Sequence, residues 1–317
     1  KARPLYPPAH ARRAVRAAAA SGETPPDGGI HTVPLARVLS AGPGARVTAP
    51  ARTRGLAGPF QPHGLGMTRG RGGTLHVVSV NQRWRGGEPT WELAHFTAGP
   101  GGALHRAGNL DHPGVCSTND VAAASPDTVY VTRTHGACGG LDRAAETVFA
   151  LGRGAVLRAD LGTGTVRPVI EGLLYANGIA LSPSGGRLAV AETRAGRVRV
   201  YETGAWARGP RRVIAVPGGP DNLSWPRPGR LLTAAHPDLL RLGLARGRLF
   251  GVTRAATHLM ALDPGGTART LARGDGLNAG TAVVRAGPVR VASGVLDHGL
   301  WVCPAAPPPL SPRAAPR

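Results

Sequence analysis

The chain has 317 residues, 42% of them hydrophobic, with 30 Pro, 47 Gly and a formal net charge of +20. That length allows a sizeable core, and no apolar run reaches the roughly 18 residues of a membrane-spanning helix. The charge is almost all arginine, with Lys1 the only lysine; the arginines occur singly or in very short runs, no nucleic-acid motif is present, and aromatics are too few for base stacking, so nucleic-acid binding is set aside.

In chain order, Arg12-Arg13 followed by Ala17 to Ala20 has a faint signal-peptide look, but its apolar part is too short. Arg13 to Ala17 and Gly29 to Leu35 read as two strands of a first, divergent unit over Ala11 to Val38. Ala41 to Pro59 is a Gly/Pro/Arg loop. A repeated grammar then begins: a short polar signature, an apolar strand, a Gly/Pro/Ser turn, a second strand. The signatures are Pro62-His63-Gly64, Asn119-Asp120-Val121, Asn177-Gly178-Ile179, Asp221-Asn222-Leu223 and Gly280-Thr281-Ala282. They lie roughly 45 to 60 residues apart, a propeller period.

The strands rest on period-two alternation, as in Arg187 to Ala191 and Arg197 to Tyr201. Turns fall at Ser182 to Gly186, Ser125 to Asp127, Pro226 to Gly229 and Ala286 to Pro288. No segment has the length, period and caps of a long helix. The fold class predicted is all-β, a six-bladed β-propeller of about 50 residues per blade, with a β-sandwich as the alternative. Residues 1–303 form its single domain, and 304–317 are a Pro/Arg-rich disordered tail.

Cys116, Cys138 and Cys303 leave three readings open. Paired with His112 and His135 they give H-x3-C and H-x2-C, a superficial zinc pattern that matches no known framework. A Cys116–Cys138 disulfide and free thiols are the others, so the compartment stays open between cytoplasmic and secreted.

Taken together, the signatures resemble the paraoxonase/arylesterase family. Phe60-Gln61-Pro62-His63-Gly64-Leu65 resembles its Phe-Asn-Pro-His-Gly-Ile segment, and Asn119-Asp120-Val121 its Asn-Asp-Ile. Ala176-Asn177-Gly178-Ile179 is similar to its Ala-Asn-Gly-Ile, and Asp221-Asn222-Leu223-Ser224 to its Asp-Asn-Ile-Ser. Ala235-His236-Pro237 matches its Cys-His-Pro, and Gly280 to Cys303 its closing blade. The resemblance runs from Phe60 to Cys303 in the family's order.

It implies a calcium-dependent hydrolase of lactones and aryl esters, acting as a monomer on a small-molecule substrate. One catalytic Ca2+ would be held by Asn119, Asn177, Asp221 and Asn222. One structural Ca2+ would be held by Asp120 and the carbonyl of Leu65. The chemistry agrees, because calcium takes oxygen ligands from carboxylates, amides and backbone. His63 matches the family's general base, and His135 and His236 match histidines of its pocket. His298 is a weaker match. The chain also departs from the pattern. Asn81-Gln82 stands where the family has Asn-His, Arg133-Thr134 stands where it has Asn-Asp, and no Glu-Asp pair precedes Gly22. That pair, and a partner for Cys303, are expected upstream of Lys1 if the blade is truncated. The alternatives are a gluconolactonase-type sugar lactonase and a propeller that has lost part of its metal site and its catalysis.

Overall fold

The alternating segments fold as short antiparallel strands in the computed structural model, which describes residues 28–41, 51–56, 60–85, 88–274, 276–296 and 300–305. The result is an all-β propeller with five sheets among the described residues. The first blade holds β1 (Thr53–Arg54), β2 (Pro62–Arg69), β3 (Leu75–Arg85), β4 (Glu88–Ala98) and β5 (Leu104–Leu110). The second holds β6 (Thr118–Ala123), β7 (Thr128–Arg133), β8 (Gly154–Asp160) and β9 (Val166–Leu173). The third holds β10 (Ala176–Leu181), β11 (Arg187–Glu192), β12 (Arg197–Glu202) and β13 (Arg212–Ala215). The fourth holds β14 (Gly219–Arg227), β15 (Arg230–His236), β16 (Thr257–Leu262) and β17 (Ala268–Gly274), and the fifth β18 (Gly280–Ala286), β19 (Val289–Gly294) and β20 (Leu300–Pro304). The innermost strands β2, β6, β10, β14 and β18 touch in that order.

The core lies between blades, because each sheet is apolar on both faces and packs against its neighbours. Ile214, Leu231 and Met260, all fully buried, fill the space between the third and fourth blades. Val80, Leu93 and Val129 do the same between the first and second. Gly185, at φ +72°, closes the β10–β11 turn that Ser182-Pro183 opens, a conformation that costs glycine little. Glu192, fully buried at the end of β11, accepts from Arg197 and Arg199 of β12 and from the Leu174 amide. Burial alone would raise its carboxyl; the Arg197 and Leu174 hydrogen bonds and the two guanidinium charges outweigh that and hold it below the ordinary range. Glu92 of β4 is buried in the same way, beside Arg83 and Arg106.

Six blades were expected and the described residues form five. Much of the unit assigned to Ala11 to Val38 lies outside the described residues. The part within them is not a sheet. His31 makes a single bridge to Ala51, and the strand expected over Gly29 to Leu35 ends at Pro34, after which α1 (Leu35–Ser40) begins. Pro34 lacks a ladder donor and fits a helix start, which accounts for the switch. This segment instead spans two blades. Ile30 packs with Phe60, Phe96 and Leu104 of the first, and Leu35 lies against the Gly287 turn of the fifth. Within Ala41 to Pro59, β1 pairs parallel with β5 at the outer edge.

Among the described residues helices are few and short, with α2 (Gly140–Val148) and α3 (Leu239–Gly247) the longest. Cys116 and Cys138 form a disulfide, which removes the zinc reading, and Cys303 is a free thiol. β20 runs to Pro304; residues 306–317, assigned to the tail, and His298 lie outside the described residues. Among the described residues no helix is long and apolar enough to cross a membrane.

Candidate metal centre

Each polar signature sits on a fault in the strand register. Along the first inner strand the partners are Pro62↔Asn81 and then Leu65↔Ser79, so β2 advances three residues while β3 advances two. The same slip falls between Thr118 and Val121, between Ala176 and Ile179, between Pro220 and Leu223, and between Gly280 and Ala282. A one-residue bulge breaks the alternation and re-aims side chains that would otherwise face the neighbouring blade. His63, Asn119-Asp120, Asn177 and Asp221-Asn222 are the residues re-aimed.

Two glycines let the inner strands approach at these faults. A Cβ on Gly64 would lie 2.4 Å from the Asp120 Cα, and one on Gly178 would lie 2.4 Å from the Asp221 carbonyl oxygen. The Gly after His63 and after Asn177 is therefore a packing requirement, with each bulge seated on the next.

Asp120 is the best-tied side chain. Its Oδ1 accepts from the Val121 amide at 2.9 Å and its Oδ2 from the Ile179 amide at 3.1 Å. The Leu65 backbone also hydrogen-bonds this carboxylate and favours its charged form, as an N–H donor does. Three blades thus meet on one carboxylate. Burial above all, with a smaller push from Asp221, raises it to about 7 against the pull of the three amides. Leu65 thus meets Asp120 through its N–H; the expectation concerned its carbonyl.

Asn177 is held by a chain of hydroxyls. Its backbone carbonyl accepts from Thr132 Oγ1 at 2.5 Å, and Thr132 Oγ1 in turn accepts from the Asp120 amide. Its Nδ2 donates to Thr193 Oγ1 at 2.9 Å, and Thr193 Oγ1 donates to the Pro220 carbonyl at 2.7 Å. A hydroxyl has one hydrogen, so Thr193, already donating to Pro220, can only accept from Asn177. That fixes the amide: Oδ1 faces away from Thr193. The Oδ1 atoms of Asn119 and Asn177 are both buried without a hydrogen-bond partner among the described residues. Buried polar atoms are nearly always satisfied, and two bare carbonyl oxygens on neighbouring bulges call for a donor or a cation.

The histidines divide. His63 Nδ1 lies 2.9 Å from the Asn119 carbonyl. A carbonyl only accepts, so Nδ1 carries the hydrogen and Nε2 is the basic nitrogen of the neutral ring. His236, nearly fully buried, places Nε2 3.0 Å from Asp221 Oδ2. His135 stands apart from the Asn/Asp group. It is bonded to Thr134 Oγ1 and Thr147 Oγ1 and lies edge-on to Tyr175. Burial lowers its pKa, Arg143 and Arg194 lower it further, and Glu146 opposes them. It sits beside the loop that carries the disulfide and α2, where Glu146 accepts from the Gly136 and Ala137 amides. For Asn222, the backbone carbonyl accepts from Thr233 Oγ1. Asn81, beside the glutamine that replaces the second histidine, donates to buried Glu92. Thr132, in the second strand of its blade, and Thr193, just past the end of β11, went unread in the sequence.

Among the described residues no three His, Cys, Asp or Glu side chains converge as metal ligands. The donor set is instead amide-rich: two bare amide oxygens, the Asp221 carboxylate, and Asp120 held high by burial. Neutral oxygens with few carboxylates suit a hard cation of the calcium type, so the residues fit the ion the resemblance implied.

The family model described as "Arylesterase" matches residues 51–247. The chain is similar to serum paraoxonase/arylesterase 1 of Mus musculus, 30% identical over 58% of this chain and 51% of that protein. The Homo sapiens protein of the same name is 28% identical over the same shares. The chain thus spans about half the length of the curated relatives it matches. In architecture it is similar to a chain of a nidogen/laminin complex, with TM-score 0.50, 16% identity and coverage of 81% of this chain and 80% of that one. With four of its five bulge signatures inside the matched segment, the chain belongs to the arylesterase family, that of the paraoxonases.

Proposed function

We propose that the chain is a calcium-dependent hydrolase of lactones or aryl esters. The observation that carries this reading is the pair of unpartnered buried amide oxygens, Asn119 Oδ1 and Asn177 Oδ1, on adjacent bulges. Asn119, Asn177, Asp221 and Asn222 would hold one calcium. Asp120, with the Leu65 carbonyl, would hold a second, structural one. When bound, the first ion would polarise the ester carbonyl and stabilise the charge that develops on its oxygen.

The remaining work falls to the chain's own residues. His63 accepts a proton at Nε2 from the attacking water, its ring oriented by the Asn119 carbonyl. Asp221 Oδ2 orients His236, which would contact the substrate. His135, kept neutral by burial and its arginine neighbours, contacts the substrate as a polar wall. A second reading, a propeller without catalysis, draws on Gln82: glutamine cannot relay a proton, so the position where the family has its second histidine cannot serve as a relay here.

The test is calcium titration by calorimetry together with hydrolysis of a simple lactone and of phenyl acetate. Activity that is lost in EDTA and restored by calcium is expected. Calcium binding without hydrolysis establishes the non-catalytic reading; no calcium binding removes the site.

A further inference from the structure

We propose that the end of the propeller opposite the bulges, at the tips of the β14–β15 and β18–β19 hairpins, binds a small ligand carrying two or more phosphate or sulfate groups. The arginines that look scattered in the sequence are gathered there. Ser224 Oγ donates to the Val283 carbonyl at 2.7 Å and sets β14 beside β18. From that contact both strands run on to their hairpin tips. Arg227 then faces Arg230 directly across one hairpin, and Arg285 faces Arg290 across the other. Arg269, near the start of β17, joins them.

Like charges placed directly opposite in a strand pair oppose folding, and here two such pairs lie side by side. Among the described residues none of the five forms an ion pair. The fixed contacts of Arg285 and Arg290 are to the backbone carbonyls of Gly287 and Pro304, which leave their charge uncompensated. Arg230 is half-buried in the middle. Burial, then Arg227, Arg269, Arg290 and Arg285, lower its pKa, and no carboxylate offsets them. Guanidinium forks suit the tetrahedral oxygens of phosphate and sulfate, and several converging forks suit a multiply charged ligand.

A second observation sets the ligand's size. The other side of the β14–β15 tip walls a cavity of about 330 Å³, lined by Ser182, Ser184, Arg187, Trp225 and Pro228 among others. Hydroxyls, one more arginine and an indole face fit an uncharged, sugar-sized body. The ligand class is a small phosphorylated or sulfated polyol, or a lipid headgroup of the same chemistry.

The test uses sucrose octasulfate as the probe, titrated by calorimetry against the intact protein. Three proteins are compared: wild type, R227Q/R285Q, and R167Q/R212Q as a control that removes two exposed arginines of the outer strands β9 and β13. The first double variant is expected to bind about tenfold more weakly or worse, as loss of charge-assisted hydrogen bonds predicts. The control is expected to bind like wild type. Since R227Q/R285Q relieves repulsion, its Tm without ligand is expected at or above the wild-type value, so weak binding there is not misfolding. Phosphatidylcholine vesicles with and without phosphatidylinositol bisphosphate form the second arm; binding that requires the phosphoinositide and is lost in R227Q/R285Q identifies a headgroup as the source. Equal loss in both double variants means bulk charge alone and overturns the proposal. So does failure of wild type to bind either probe.

Discussion

Replacing Thr193 by Val tests the reasoning about the amide oxygens most directly. Valine keeps the shape of the side chain and removes the hydroxyl. The Asn177 Nδ2 then loses its acceptor and the Pro220 carbonyl its donor, and Thr193 is itself buried. Each buried polar group left unpaired costs about 1–3 kcal/mol, so the expected loss of stability is about 2–5 kcal/mol. For a chain of this size that is a fall in Tm of roughly 3–8 °C. The amide is no longer held with Oδ1 turned from Thr193, and calcium affinity is expected to fall about tenfold to a hundredfold, as for other residues that orient metal ligands. Calorimetric calcium titration and thermal melts in EDTA measure the two effects separately. Thr193→Ser, which keeps the oxygen, is expected to restore affinity. Calcium bound equally well by T193V, or lost equally in T193S, would refute the amide-locking argument.

Gly178→Ala places a methyl 2.4 Å from the Asp221 carbonyl oxygen and 2.5 Å from the Asn222 Cα; backbone cannot step aside, so a loss of about 3 kcal/mol or more is expected in urea unfolding. Gly243→Ala, in α3 with open space around it, is the control and is expected to gain up to about 1 kcal/mol. The Cys116–Cys138 disulfide closes a separation of 22 residues; its removal by a double Ser variant is expected to cost about 3 kcal/mol, read as the Tm difference under oxidising conditions. The pKa of Glu192 is lowered in the fold, so its contribution is complete above the unfolded value near 4.5 and is lost as pH falls through the lower folded value. Glu192→Gln is therefore expected to destabilise at pH 7 and to flatten the acid limb below about pH 4.5 in unfolding measured against pH; an unchanged acid limb would show that the Arg197–Glu192–Arg199 cluster contributes little.

Much of the repeat was legible because it is written locally. Alternation in Arg187 to Ala191 and the Ser182 to Gly186 turn specify a hairpin without help from distant residues. The signatures were legible for the same reason: Asn, Asp and Gly recur at one place in each unit. What they do was less so. The register slip that re-aims Asn119 and Asn177 is a relation between two strands, visible only once Thr118 has paired with Arg133 and Val121 with Val131. Thr132 and Thr193 act on bulges up to 45 residues away, so no local pattern marks them. The Arg13 to Ala17 strand lies outside the described residues. The Gly29 to Leu35 strand gave way to a bridge and a helix, because Pro34 counted for more than the alternation around it. Arginines 227, 230, 269, 285 and 290 looked dispersed because hairpin tips from two blades bring them together.

The Asn/Asp signatures sit on inserted residues inside strands, and the long β7–β8 and β15–β16 connections, which carry α2 and α3, leave the strands at the same end. These two parts answer to different constraints. A loop can lengthen, shorten or change composition without moving the bulges, whereas deleting one residue from β10 would flip the facing of each side chain on one side of the deletion. Variation therefore has a tolerant place in this fold, the loops, while the bulges can be lost but hardly adjusted. Random insertion and deletion along the chain would separate the two as a map: tolerated variation concentrated at residues 134–153 and 237–256, and none between Thr118 and Val121 or between Ala176 and Ile179.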